Sequence, residues 1–74
     1  MAYGVICEIH FPRDGSGTGT VRIVENPPPA HRGRSTDVNY YDVTHFSTLG
    51  EARANLEQLR RSYASYPGIR FISL

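Results

Sequence analysis

Thr48-Leu49-Gly50-Glu51-Ala52-Arg53-Ala54-Asn55-Leu56-Glu57-Gln58-Leu59-Arg60-Arg61-Ser62-Tyr63 is the stretch on which the architecture turns. Thr48 and Glu51 have the spacing of a capping box, in which the hydroxyl takes one orphan amide of a helix start and the carboxylate reaches back to another. Leu49, Ala52, Leu56, Leu59 and Tyr63 then recur at steps of three, four, three and four residues, which lays all five on one stripe of an α-helix. Arg53, Glu57 and Arg61 fall on the opposite side at four-residue spacing, where an ion pair adds about 0.2–0.5 kcal/mol. Tyr66-Pro67-Gly68 ends the helix, with Gly68 free to take a left-handed backbone. A helix with one apolar stripe needs an apolar sheet face to cover.

The strands lie on both sides of it. Tyr3, Val5, Cys7, Ile9 and Phe11 alternate with Gly4, Glu8 and His10, broken only by Ile6, which is the period of a half-buried strand. Pro12 stops it, and Arg13 to Gly19 reads as a flexible reversal into a second β-branched run, Thr20 to Glu25. Asn26-Pro27-Pro28-Pro29 ends the hairpin, because proline cannot donate to a strand ladder. His31 to Thr36 continues as a polar loop. Val38 to His45 reads as a third strand in which the apolar residues change parity between Tyr40 and Tyr41, so that either a bulge sits there or both faces are covered. Ile69 to Leu74 closes the chain as a fourth strand. The expected fold is α+β: a small, mostly antiparallel four-stranded sheet with one amphipathic helix packed on one face, in the order ββ-β-α-β. If the third and fourth strands are neighbours, their connection through the helix is right-handed.

The 74 residues make one domain, 1–74, with 39% hydrophobic and 20% charged residues, too apolar for a disordered chain. No apolar run approaches the roughly 20 residues of a membrane span, and Met1 to Phe11 is not a signal-peptide core; a soluble, cytoplasmic protein without membrane contact is expected. Net charge is +1, so bulk charge does not point to nucleic acid. All 8 basic residues are arginine, a bias that either a GC-rich genome or an arginine-rich contact surface produces.

No catalytic, metal or cofactor site is expected. Gly15, Gly17 and Gly19 precede a strand, whereas a phosphate loop delivers its amides at a helix start. Cys7 and His10 are three apart on a strand and point to opposite faces, as do Asp42 and His45. Cys7 shares the apolar face with Val5 and Ile9, where a free cysteine is inert packing. One cysteine excludes an internal disulfide.

What remains is surface. The loop Pro27 to Arg34 is long for so small a domain and brings Arg32 and Arg34 near Tyr40 and Tyr41, a mixture enriched in protein hot spots and single-stranded nucleic-acid platforms. Arg60 and Arg61 on the helix and Arg13 at the hairpin tip complete the expected partner-binding residues. Thr20 to Glu25 and Ile69 to Leu74 are the expected free sheet edges, through which a homodimer could pair.

Thr48 to Leu56, following three strands, resembles the segment that opens the helix of HicB-like antitoxins. That resemblance implies binding of a small RNase toxin, often with an attached DNA-binding segment; the acidic Pro-Gly-Cys stretch before the family's helix has no counterpart here. In general character the chain is similar to phage-encoded inhibitors, anti-CRISPR proteins among them. The leading expectation is a small non-enzymatic module that binds a host or cognate protein, a phage or mobile-element inhibitor blocking a bacterial protein or nucleoprotein complex. A nucleic-acid-binding or HicB-like antitoxin-type regulator is the alternative.

Overall fold

The computed structural model describes residues 2–74. Its elements are β1 (Tyr3–His10), β2 (Thr18–Glu25), β3 (Asn39–Phe46), α1 (Leu49–Ser62) and β4 (Gly68–Ile72). The strands form one sheet in the order β3-β1-β2-β4. β1 runs antiparallel to both β2 and β3, and β4 runs parallel to β2. The sheet is therefore mixed, for a simple reason: α1 carries the chain back along the sheet, so β4 must run in the same direction as β3, which is also that of β2. The third and fourth strands are not neighbours but opposite edges, with the β1–β2 hairpin between them. Thr20 to Glu25 is consequently interior and not a free edge.

One face belongs to the helix. Tyr3, Val5, Cys7 and Ile9 turn towards it with Ile23 and Val21, the partners of Val5 and Cys7, and with Ile69, which pairs with Gly19; Val5 and Val21 are sealed completely. Ala52 and Leu56 are the buried centre of the helical stripe. The smallness of Ala52 lets the helix settle close to the sheet, while Leu49, Leu59 and Tyr63 pack half-buried on the rim of the core. Both bonds of the capping box form: the Glu51 N–H donates to Thr48 Oγ1 at 3.1 Å and the Thr48 N–H to Glu51 Oε1 at 3.2 Å.

Two local expectations change. Gly68 is not left-handed; it opens β4, and a Cβ there would stand 2.6 Å from the Gly17 carbonyl oxygen, so glycine serves close approach instead of a turn. The four-residue ion pairs do not form. Glu57 takes Arg60 one step nearer, and Arg53 donates to the Leu74 carbonyl at 3.1 Å. The reversal after β1 is anchored at its base, with Gly17 buried against the rings of Tyr66 and Phe11.

The other face explains the irregularities in the hydrophobic pattern. Ile6 and Val43, opposite each other on β1 and β3, are both buried on the side away from the helix. The register between β1 and β3 is unbroken, so no bulge exists at Tyr40–Tyr41; both faces of β3 are covered. The cover is the segment from Asn26 to Val38, which leaves β2, crosses beneath β1 and runs along the outer side of β3. Gly4 permits the crossing, since a Cβ there would meet the Pro27 side chain at 2.4 Å.

Candidate functional site

The Asn26–Val38 segment behaves as a strap, tied down at successive points along β3. The Asn26 N–H donates to the Ala2 carbonyl at 3.0 Å, where the segment leaves the hairpin. His45 Nε2 lies 2.7 Å from the Pro28 carbonyl. His31 and Val43 exchange both backbone hydrogen bonds, at 3.1 and 2.8 Å, so that one residue of the strap acts as a fifth-strand rung. The Gly33 N–H donates to Asp42 Oδ1 at 2.9 Å, and the Val38 carbonyl accepts from the Phe11 N–H at 2.7 Å. A polyproline segment has no internal hydrogen bonds; here the edge of β3 supplies them instead.

This geometry distributes the expected binding residues unevenly. Arg32, Tyr40 and Asp42 gather on the helix side of β3, where a Cβ on Gly33 would touch the Tyr40 ring at 2.6 Å. Tyr41, the next residue along the strand, points to the opposite face and lies against His31, ring centroids 5.4 Å apart. Tyr40 and Tyr41 therefore cannot form one platform. Arg34 stays on the strap, exposed, its carbonyl accepting from the Asp37 N–H at 3.0 Å. Arg13 sits in the turn between β1 and β2, and Arg60 and Arg61 lie in the last turn of α1. The structure thus brings Arg32 and Arg34 together with Tyr40 and Tyr41 around one edge, and leaves Arg13, Arg60 and Arg61 elsewhere.

Four residues beyond those expected belong to this edge. His31, Asp42 and His45 hold the strap, and an open cavity of about 380 Å³ lies among His31, Arg32, Asp42 and Val43. Val38 is exposed at the strap's end. The signal for Asp42 was present: Asp42 and Thr44 are polar residues on the core-facing parity of a strand, which marks an edge whose side chains meet another backbone.

Burial pushes the Tyr40 hydroxyl up to about 12, with the charge of Asp42 adding to it. Cys7 is also pushed up to about 12, by burial first and by Asp42 second. At neutral pH its thiol is protonated and buried, and only the thiolate is a nucleophile. Among the described residues, no group of three or more His, Cys, Asp and Glu side chains converges as metal ligands would, and no helix is long and apolar enough to cross a membrane.

These raised values set the alkaline behaviour of the fold. The unfolded chain releases the Cys7 proton from about pH 9, whereas the folded chain holds it to about 12, so the native state binds more protons in that window and stability falls as pH rises. Tyr40 adds to the loss from about pH 10. Urea titrations from pH 8 to 11 should show stability falling by up to about 1.4 kcal/mol per pH unit for Cys7, with solvent screening leaving the more exposed Tyr40 a smaller share. Cys7→Ala should flatten the early part of the fall; an unchanged profile in that variant would remove Cys7 as its cause.

Comparison of the chain with protein-family models, with curated proteins and with solved structures returned no match.

Proposed function

We propose that this chain is a small protein-binding module that acts by covering part of a partner, and that its strapped β3 edge is the recognition surface. The observation that carries this reading is preorganisation. A long loop bearing Arg32 and Arg34 is held by backbone bonds against a strand bearing Tyr41, with Val38 and Tyr41 supplying two of the four exposed large hydrophobic side chains among the described residues. Arginine and tyrosine anchors on a surface already ordered before binding avoid much of the ordering cost of association. Blocking a bacterial protein or nucleoprotein complex, as a phage or mobile-element inhibitor does, is the form of activity such a rigid non-catalytic edge would serve.

The test uses the whole chain as immobilised bait in a bacterial lysate. A single protein should be retained stoichiometrically at high salt, and lost with the Arg32→Ala/Tyr41→Ala double variant. Gly4→Val, whose side chain would collide with Pro27, should weaken the same complex. Retention of nucleic acid alone, released steeply as salt rises, would overturn the reading in favour of the regulator alternative. A complex indifferent to these substitutions would move the surface away from β3.

A further inference from the structure

The two edges of the sheet are finished differently. The outer side of β3 is bridged by His31, whereas among the described residues nothing pairs with the outer side of β4. β4 carries neither proline nor lysine, the residues that ordinarily blunt an open edge. The Ile69 N–H donates to the Tyr66 carbonyl at 3.2 Å instead of to β2. Because backbone polar groups alternate sides along a strand, the Phe71 N–H and carbonyl face the open side.

What flanks this edge is both apolar and positive. The helix leans over β1, β2 and β3, leaving beside β4 an open trench of about 460 Å³ with Ile69, Phe71 and Tyr66 on its floor and Arg60 and Arg61 on its rim. Glu57 is the acid in that lining, and Arg60 already engages it. On the opposite face Arg70 and Ile72 are exposed, Ile72 at 46%. Each face of the edge thus offers an apolar side chain next to an unneutralised arginine.

We propose that β4 receives an extended acidic peptide segment as a fifth strand, in which, on each face, acidic side chains flank an apolar one. Main-chain hydrogen bonds to Phe71 supply the pairing, and the arginines select the sequence. A second copy of this chain suits the edge poorly. Antiparallel self-pairing centred on Arg70 sets it opposite its own counterpart, and centring on Phe71 leaves the two arginines diagonal neighbours, about 7–8 Å apart, on the same face. This edge stands apart from the strapped β3 surface and does not depend on it.

The probe is a fluorescein-labelled peptide, Glu-Glu-Val-Val-Glu-Glu, whose period of two puts Glu, Val and Glu on each face. Titrated with the full chain, it should bind saturably, with the largest amide shifts from Ile69 to Ile72. Arg61→Glu/Arg70→Glu should weaken binding about tenfold or more, and a peptide N-methylated at both valines should not bind. Arg32→Ala/Tyr41→Ala should leave the affinity unchanged, so that failure here and failure of the β3 reading are separable. The proposal is overturned by absence of saturable binding, by equal binding of Lys-Lys-Val-Val-Lys-Lys, by shifts confined to the strap, or by a free chain that sediments as a dimer dissociated by the Arg70→Glu substitution.

Discussion

Gly19→Ala should leave the chain unfolded at room temperature. Gly19 lies inside β2, between Ile9 of β1 and Ile69 of β4, with φ at +150°. A Cβ there would stand 2.0 Å from the Glu8 carbonyl oxygen and 2.8 Å from Ile9 Cα, both main-chain atoms. Neither can retreat, because β1 is the strand on which β3 also pairs. Backbone strain of this kind costs about 1–3 kcal/mol alone, and displacing a central strand adds to it, against a total of about 4–11 kcal/mol for a domain of this length. Gly15 is the control: its φ is +84°, but nothing lies within 4 Å of a Cβ. Gly15→Ala should cost about 1–2 kcal/mol and still unfold cooperatively in urea. A Gly19→Ala chain with a midpoint near that of the parent would show that the close approach of β1 and β2 is not needed.

The second large effect is expected at Leu56. It is 7% exposed and fills the centre of the single helix–sheet layer beside Ala52. Leu56→Ala should lower stability by about 2–5 kcal/mol, the upper part of that range applying if the layer cannot collapse into the vacated space. The urea midpoint should fall while the slope of the transition stays constant. Leu59, half-buried on the rim, should lose distinctly less when truncated in the same way. Equal losses at the two positions would mean that the helix does not seat on the sheet through Leu56.

The helix and its cap were legible because they are local. The spacing of Thr48 and Glu51 and the five-residue stripe name every partner within a few positions, and the structure contains each of them. The strands were legible to within two residues for the same reason. Ile6 and the change of parity at Tyr40–Tyr41 were visible as irregularities, but their cause is not local. It is a segment some twenty residues from Ile6 in sequence, lying across the far face, and no periodicity within β1 or β3 reports it. The order of the strands was hidden likewise: hairpin proximity makes β2 look like an edge, and only the return of the chain through α1 places β4 outside it. Gly68 shows a different limit, since a glycine after a helix suits either a left-handed turn or a close contact, and here the Gly17 carbonyl decided it. At the candidate site, Arg32 and Arg34 were found near the tyrosines because they closely precede them in sequence. That Tyr40 and Tyr41 face apart follows from the alternation of any regular strand.

Among the described residues β4 has β2 as its one strand neighbour, and reaches it only after the chain has travelled through β3 and the whole of α1. Pairings that close such long loops come late in folding, and outer elements with few covering groups open at the smallest free energy. The amides of β4 should exchange with solvent before those of β1, an order that native-state hydrogen exchange would check.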